Sequence, residues 1–412
     1  MTRHDVRLHG FSELASAEQA MAWVDANAER LPAETVATSD ALGRVLHAAI
    51  EATADLPDLD RAAEDGYAVR SRETIGAAAY NPLVFALQEP GTPLGPAGAA
   101  LATAGAPLPR GADAVLPFSA ALREGAGLEI LAAVAEGAGV ERRGHELRNG
   151  ASLFDEGRAL LPQDVGLLAA LGVENVQAVR RPRVRLVIAG PKHSAGLPPS
   201  RDADGPMLQA LAARDGGAVE GIIVRANERG AIARALTAPG ADAILVAGRT
   251  GTGPDDEAPL ALAEVGELAV HGVALRPGGS TGMGRVGAVP VVLLPGDPLA
   301  CLCAYELLGG RLVRRLAGRD PRLPHPVLDA EVGRKIVSAV GFVDVCRVRL
   351  VDGRAEPLGS VEEGGLTSTV RADGFIVVPS PLEGHAPGAR VRVHLYGSRE
   401  LTLGSVHGTG RS

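Results

Sequence analysis

The segment Val184-Arg-Leu-Val-Ile-Ala-Gly decides the fold, together with Ala243-Ile-Leu-Val-Ala-Gly and Val289-Pro-Val-Val-Leu-Leu further along the chain. All three are short, nearly continuous apolar runs, which are typical of strands buried on both faces. Another strand is predicted over 219–224, and helices are predicted over 204–213, 229–237 and 298–316. This alternation predicts a mostly parallel sheet covered by helices on both faces, which is a three-layer α/β domain.

Smaller domains are predicted on both sides of this one. Residues 11–50 show helical spacing, and short apolar runs between Gly and Pro turns follow them. Past residue 320 the pattern alternates with period two, which predicts a C-terminal all-β domain. The predicted limits are a helical segment at 11–50 that packs with a linker domain at 150–181, a small β-rich inserted domain at 51–149, the α/β domain at 182–318, a β-barrel-like domain at 319–402 and a disordered tail at 403–412.

Composition excludes several classes of protein. The net charge of −8 and the pI of about 5.7 argue against a general nucleic-acid binder, which needs a basic face. The first residues lack a stretch of signal-peptide length, and prolines interrupt the most apolar region, 289–308, so no membrane span is predicted. The three cysteines are interpreted as buried and reduced. These features predict a cytoplasmic protein.

Ligands of parallel α/β sheets bind beyond the carboxyl ends of the strands. One such end carries Gly248-Arg-Thr-Gly-Thr-Gly-Pro-Asp-Asp. Its glycines, Gly248 and Gly251 among them, let backbone amides approach a phosphate, and Arg249, Thr250 and Thr252 can donate to it. Asp255 and Asp256 can then hold a divalent cation beside that phosphate. The alternative is a surface loop whose two aspartates lead into the next helix.

Pro295-Gly-Asp-Pro joins a predicted strand to a helix and permits two roles. The helix N-terminus can present the amides around Gly296 to an anion. Asp297 can equally be the N-cap, with Pro298 in the first helical position, and both roles can hold together.

Other polar residues point less clearly to a site. The carboxylates in Asp60-Arg-Ala-Ala-Glu-Asp are typical of a solvated turn. His145 and Glu146 have metal-ligating side chains but no partners at ligand spacing, and His193 and His271 are interpreted as polar loop residues.

The order of several motifs along residues 10–400 resembles the molybdopterin molybdenumtransferase family, MoeA and the E domain of gephyrin. Asp55-Leu-Pro-Asp-Leu-Asp-Arg-Ala-Ala-Glu-Asp-Gly-Tyr-Ala resembles its D-x-P-x-F-D-x-S-A-M-D-G-Y-A signature. Ala104-Gly-Ala-Pro, Glu141-Arg-Arg-Gly-His-Glu, Val273-Ala-Leu-Arg-Pro-Gly-Gly and Leu294-Pro-Gly-Asp-Pro resemble T-G-A-P, R-x-x-G-E-D, V-A-M-K-P-G-K and L-P-G-N-P.

The resemblance implies a homodimer that inserts molybdate into adenylylated molybdopterin, with Mg²⁺, and releases AMP. It implies catalytic roles for Asp65, Asp256 and Arg276, with Asp65 facing the site of the partner subunit. It also implies that a molybdoenzyme or other cofactor-biosynthesis proteins are partners. It adds Glu146, Pro295 and Pro298 as substrate-binding residues, with Arg142 as an approximate substitute for the family's arginine. Lys192, at a strand end in a basic, glycine-lined pocket, is predicted either to contact a bound oxyanion or to point to solvent.

The chain departs from the family pattern at five positions. Pro191 and Lys192 replace the two acids of T-G-D-E-L, and Arg249 replaces a glycine of the S-G-G-V-S-x-G loop. Gly279 replaces the second lysine of the basic stretch, and Ala104 replaces a threonine. These changes make the predicted pocket about three charges more positive, which weakens a cation site and strengthens anion binding. Two alternatives therefore stay open: a catalytically lapsed molybdopterin-binding or carrier protein, and another phosphate-ligand enzyme on the same sheet.

Overall fold

The computed structural model describes residues 5–125, 127–190, 202–220, 228–359 and 365–397, and the backbone of 224–225. These residues fall into two compact units. The larger unit contains the described residues within 1–34, 43–45 and 178–412, and the smaller contains those within 35–42 and 46–177.

The described residues form eight α-helices. A π-helical turn, Tyr305–Gly309, joins α6 to α7 into one continuous helical segment. The helices are α1 (Ala17–Asn27), α2 (Pro162–Ala170), α3 (Asp204–Arg214), α4 (Arg229–Thr237), α5 (Ala258–Val265), α6 (Pro298–Ala304), α7 (Gly310–Leu316) and α8 (Gly365–Arg371).

Short strands make up most of the remaining regular structure. The strands before residue 180 are β1 (Ala33–Ala37), β2 (Ile50–Glu51), β3 (Arg61–Ala62), β4 (Gly66–Val69), β5 (Leu83–Gln88), β6 (Gly98–Ala102), β7 (Ala114–Pro117), β8 (Ala121–Glu124), β9 (Gly127–Ile130), β10 (Val140–Glu141), β11 (Ser152–Phe154) and β12 (Asn175–Val179). The later strands are β13 (Arg183–Ile188), β14 (Ala218–Val219), β15 (Val224–Arg225), β16 (Ala243–Ala247), β17 (Glu267–His271), β18 (Leu275–Arg276), β19 (Gly282–Val286), β20 (Val289–Leu294), β21 (Val327–Val332), β22 (Ile336–Val337), β23 (Val343–Val351), β24 (Arg354–Pro357), β25 (Gly374–Val378), β26 (Gly384–His385) and β27 (Arg390–Leu395).

The larger unit contains the predicted α/β domain, built on a sheet in the order β14-β13-β16-β20-β19-β17, with β15 also paired to β13. Strands β13, β14, β15, β16 and β20 run parallel, as predicted. Alternate residues of the central strands face opposite ways: Leu245 packs in a core with α3 and α6–α7, and Val246 packs in a second core with α4 and α5. The sheet is therefore covered on both faces, and the three-layer prediction is confirmed.

The edge formed by β19 and β17 differs from the sequence prediction. These two strands are antiparallel to each other, and β19 is antiparallel to β20. Gly282 and Gly284 lie within β19, where strand propensity is low, so this hairpin gives little sequence signal. The strand predicted over 219–224 lies partly outside the described residues, which contain β14 and β15 on either side.

The C-terminal part of the larger unit is a small barrel. Strands β23, β24, β21, β27 and β25 pair in that order, and β25 pairs back with β23, which closes the ring. The β-rich, barrel-like prediction is confirmed, with one short helix, α8, added to it. The predicted tail at 403–412 lies outside the described residues.

The smaller unit contains a sheet in the order β7-β4-β6-β5-β9-β8 around a core that includes Phe85, Leu116 and Leu128. All its strand pairs are antiparallel except β5 with β6. The β-rich inserted domain is therefore present, and its predicted limits stay predictions.

The helical prediction for 11–50 is wrong beyond α1. Residues 33–37 form a strand, and the residues that follow form only a single 3₁₀ turn, Thr38–Asp40. The Thr38 N–H donates to the Glu174 carbonyl at 2.8 Å, and its hydroxyl donates to the Val173 carbonyl. These long-range hydrogen bonds stabilise an extended path that local propensity did not predict.

None of the described helices is both long and apolar enough to cross a bilayer. Cys301, Cys303 and Cys346 are free and buried, as predicted.

Candidate functional site

Three strand ends of the α/β sheet converge through their backbones. Gly248 follows β16 with φ +89°, and a Cβ there would lie 2.2 Å from the Ala189 carbonyl oxygen at the end of β13. A Cβ on Gly296, beyond β20, would lie 2.9 Å from the Gly248 Cα. Both positions therefore require glycine, because a side chain would push the strand ends apart. The result is a closely packed junction of main chain at the ligand-binding edge of the sheet, buried at Ala189 and Gly248 and exposed at Gly296.

The glycine-rich loop (248–256) presents unengaged backbone donors. Gly248 N–H donates to the Leu294 carbonyl, which fixes the start of the loop. The next N–H groups, those of Thr250, Gly251 and Thr252, donate to no acceptor among the described residues. Successive free N–H groups in a glycine-rich turn form a concavity that binds anions. This run is the strongest indication of a phosphate site in the larger unit.

Arg249 stands where the family has a glycine, and its backbone adopts the left-handed conformation that glycine favours, with φ +59°. Its Nε donates to the Gly190 carbonyl at 3.1 Å, and its Nη1 lies 3.3 Å from both the carbonyl and the carboxylate of Asp255. The side chain is only 14% exposed. The predicted anion donor is therefore used largely to hold the loop together.

Thr250 also differs from its predicted role. Its side chain is buried, and its hydroxyl donates to the Leu294 carbonyl at 3.3 Å, next to the Ser280 hydroxyl, also at 3.3 Å. The Thr250 carbonyl lies 2.8 Å from His271 Nε2. The side chain thus anchors the loop, and because Thr250 is buried, the N–H groups left accessible to a ligand are those of the partly exposed Gly251 and Thr252. Thr252 is half-buried, and its carbonyl accepts from the N–H of Leu8 at 2.8 Å.

The N-terminal segment also holds the loop, which the sequence did not suggest. Arg7 donates to the Pro254 carbonyl at 3.3 Å and to Glu257 at 2.5 Å. Arg229 donates to the other Glu257 oxygen at 2.6 Å. Long-range contacts of this kind have no local sequence signature.

Mg²⁺ is the cation that the resemblance implies, and the predicted ligands do not fit it. Asp255 is engaged by Arg249, and one Asp256 oxygen accepts the Gly253 N–H at 2.7 Å, which closes the loop. Within the described ranges, no group of three or more His, Cys, Asp or Glu side chains is placed to hold a metal. Since a divalent cation takes six or more oxygen ligands, the two remaining carboxylate oxygens, one on each aspartate, are a poor cage beside the charge of Arg249.

Pro295, Gly296, Asp297 and Pro298 form the turn into α6. Asp297 accepts the Ala300 N–H at 3.0 Å and Pro298 is the first helical residue, so the predicted N-cap is confirmed. Pro295 is buried, whereas Gly296 and Asp297 are exposed beside the glycine-rich loop. The exposed turn is thus part of the same strand-end surface.

Arg276 lies at β18 and points its guanidinium toward the barrel. It donates to both oxygens of Asp344, at 2.8 and 2.6 Å, and lies 5.0 Å from the centre of the Phe342 ring. Asp344 is fully buried, so separating this pair would leave an uncompensated charge. The predicted catalytic cation is therefore committed to an ion pair.

Asp204 is a titratable group that the motifs did not indicate. It is the first residue of α3 and is 8% exposed, and its Oδ1 has no hydrogen-bond partner within the described structure. Burial raises its pKa to about 7, and the nearby charges of Asp202 and Asp297 add to the effect. The sequence signal that could have indicated it is Asp202-Ala-Asp204 at the start of a predicted helix.

In the smaller unit, the acidic turn (55–66) is exposed and built from carboxylates that accept hydrogen bonds. Asp65 accepts the Ala104 N–H at 2.8 Å, which brings together two of the motifs quoted above. A Cβ on Gly66 would lie 2.3 Å from the Leu116 carbonyl oxygen, so the glycine after Asp65 is required by β4 packing.

Residues 139–149 fold back on this turn through β3 and β10. Arg142 donates to Asp60 at 2.8 Å, and the pKa of Asp60 is lowered first by the Arg143 N–H and then by the Arg142 guanidinium. His145 and Glu146 are exposed. The structure therefore assembles Asp65, Arg142 and Glu146 around one turn, while Lys192 and His193 lie outside the described residues.

Three family models match consecutive parts of the chain. They are the MoeA N-terminal region (domain I and II) over residues 15–172, a probable molybdopterin binding domain over 194–315, and the MoeA C-terminal region (domain IV) over 329–396.

Individual proteins match over most of their length. Molybdopterin molybdenumtransferase 2 of Mycobacterium tuberculosis is 30% identical over 313 residues, which cover 71% of this chain and 77% of that protein. A putative molybdopterin biosynthesis protein of Methanocaldococcus jannaschii is 28% identical over 374 residues, 86% of this chain and 90% of that protein. The crystal structure of a molybdopterin biosynthesis MoeA protein from Pyrococcus horikoshii aligns with a TM-score of 0.75 and 28% identity, covering 94% of this chain and all of that one.

Proposed function

Because the chain belongs to the molybdopterin molybdenumtransferase (MoeA) family, we propose that it acts in molybdenum cofactor biosynthesis, inserting molybdate into adenylylated molybdopterin and releasing AMP. The observation that carries the proposal is the run of free N–H groups at Gly251 and Thr252, both partly exposed, at the edge of a parallel sheet. A phosphate is the ligand that such a run recognises. The proposal sets the reaction in the cytoplasm, with a molybdoenzyme or another cofactor-biosynthesis protein as acceptor.

The loop supplies binding and charge stabilisation in this proposal. Its free N–H groups hold the phosphate of the adenylylated substrate, and they stabilise the negative charge that grows on AMP as it leaves. Gly248 and Gly296 keep side chains away, so that the substrate phosphate can approach the main chain. Mg²⁺ has no step here, because the two aspartates predicted to hold it are engaged within the loop.

The proposal includes a homodimer in which Asp65 completes the site of the partner subunit. Asp65 is exposed and makes one internal hydrogen bond, so it is available to a second chain. Asp65→Asn should lower AMP release by about 100-fold, the scale of losing a charged catalytic contact, and leave the melting temperature unchanged. Sedimentation of a monomer alone at micromolar concentration would contradict the shared site.

The reaction itself is tested with purified protein, adenylylated molybdopterin and molybdate. AMP is quantified by chromatography, with and without molybdate. We expect molybdate-dependent AMP release. Substrate binding without AMP release would instead favour the second candidate, a catalytically lapsed carrier of molybdopterin. One observation supports that candidate: Arg276, which stands for a family lysine, is held by the buried Asp344.

A further inference from the structure

The guanidinium of Arg249 lies inside a set of three oxygen atoms. They are the Gly190 carbonyl, the Asp255 carbonyl and the Asp255 carboxylate, at 3.1, 3.3 and 3.3 Å. Gly190 follows β13, and Asp255 lies near the end of the glycine-rich loop. The Arg249 side chain therefore joins two strand-end segments. Carbonyl and carboxylate oxygens that converge from separate segments are the donor set that a hard divalent cation takes in proteins.

The backbone of Arg249 is strained to reach this position. Its φ of +59° lies in the left-handed region, where a residue other than glycine pays a conformational cost. A strained conformation of this kind persists only where the surrounding contacts are strong enough to hold it. Ala258 N–H donates to the Arg249 carbonyl at 3.0 Å, so the same residue also sets the start of α5.

The remaining loop carboxylate does not offer a second cation position. One carboxylate oxygen of Asp256 accepts a hydrogen bond from the Gly253 N–H at 2.7 Å. A divalent ion near Asp255 would also meet the fixed positive charge of Arg249, which is only 14% exposed and poorly screened.

We propose that Arg249 takes the place of a divalent cation in the glycine-rich loop, so that this site binds its phosphate-bearing ligand without a metal. The identity of the ligand rests on the proposed function, whereas the substitution of a side chain for a metal does not. Arg249 is thus a positioning residue that holds the loop in the conformation in which the N–H groups of Gly251 and Thr252 stay free for a ligand.

The first test uses a metal alone. Mn²⁺ binding is followed by electron paramagnetic resonance in the full-length protein and in Arg249→Gly, which removes the charge and the backbone strain together. Arg285→Ala is the matched control. Arg285 also forms an ion pair, with Glu267 at 2.7 Å, but it lies in the β17–β19 hairpin and not in the glycine-rich loop. We expect Arg249→Gly to bind Mn²⁺ at least about tenfold more tightly than the wild type and the control. Equal affinities in all three proteins would overturn the proposal.

The second test titrates AMP by calorimetry in EDTA and in millimolar Mg²⁺. The wild type should bind equally, within about twofold, in both conditions. Arg249→Gly should bind about tenfold more weakly in EDTA and recover in Mg²⁺, and Arg249→Lys should stay metal-independent. A wild type that loses AMP in EDTA would also overturn the proposal. Absence of AMP binding in every condition would count against the proposed function, while the Mn²⁺ result would still decide the role of Arg249.

Discussion

The glycine-rich loop and the acidic turn use their polar groups in opposite ways. In the loop, the side chains of Arg249, Thr250 and Asp256 are turned inward to hold the loop together, and the N–H groups of Gly251 and Thr252 have no acceptor among the described residues. In the acidic turn, the backbone is engaged by neighbouring segments, and Asp65 remains exposed. A motif can therefore keep its place in the fold while its side chains serve to hold the loop together.

The first prediction tests whether the close backbone contact between Gly248 and Ala189 stabilises the glycine-rich loop. In Gly248→Ala, the new Cβ would overlap the Ala189 carbonyl oxygen at 2.2 Å. Gly105→Ala is the matched control, because Gly105 packs near the acidic turn with a similar φ of +80° and no atom within 4 Å of an added Cβ. The control should lose about 1–2 kcal/mol of stability from backbone strain alone, and Gly248→Ala at least about 2 kcal/mol more.

Urea unfolding of the two variants, together with AMP titration, measures this difference. A similar loss of stability in both would show that the strand ends separate easily, and the contrast between the two regions would fail.

Patterns that repeat along the chain were enough to predict the architecture. The apolar run of β16 and the amphipathic α4 gave the α/β domain, and α4 has the predicted bounds. The β19 strand and the 3₁₀ turn at Thr38 were missed, because partners distant in sequence decide their conformation. Motif order located the glycine-rich loop and the acidic turn but not the inward orientation of Thr250 or the pairing of Arg276 with Asp344. Side-chain direction depends on neighbours that no local pattern specifies.

The second prediction compares how a buried carboxylate, Asp204, and a carboxylate of the acidic turn, Asp60, change the stability of the protein with pH. Burial raises the pKa of Asp204 from 3.8 to about 7, so the folded chain keeps a proton that the unfolded chain has lost between these values. The cost of this carboxyl to stability is therefore absent below about pH 4, grows as the pH rises, and is complete above about pH 7. Asp204→Asn removes it and should raise stability at pH 8 by about 1–3 kcal/mol.

Asp60 in the acidic turn should show the opposite sign. The Arg143 N–H and the Arg142 guanidinium lower its pKa, so its stabilisation is present at neutral pH and is lost as the pH falls below its unfolded value of 3.8. Melts of Asp204→Asn at pH 4 and 8 measure the first effect, and urea unfolding of Asp60→Asn at about pH 2 and at pH 8 measures the second. If Asp204→Asn changed stability equally at both pH values, Asp204 would not be the buried titrating group described above.

The third prediction concerns Gly279→Lys, which would place a side chain on the segment beside the glycine-rich loop. Gly279 stands where the family has its second lysine, and an added Cβ there would meet only the Leu275 and Val273 carbonyl oxygens, at 3.7 and 3.8 Å. Gly279→Lys should therefore fold normally and place a cation on the segment that also carries Ser280, whose hydroxyl lies 3.3 Å from that of Thr250. A partly exposed charge contributes up to about 1 kcal/mol, so we expect about a three- to fivefold gain in AMP affinity. Gly279→Ala, which adds bulk without charge, should leave the affinity unchanged. A gain in both variants would trace the effect to backbone stiffening, and a gain in neither would mean that the free N–H groups of Gly251 and Thr252 hold the phosphate beyond the reach of residue 279.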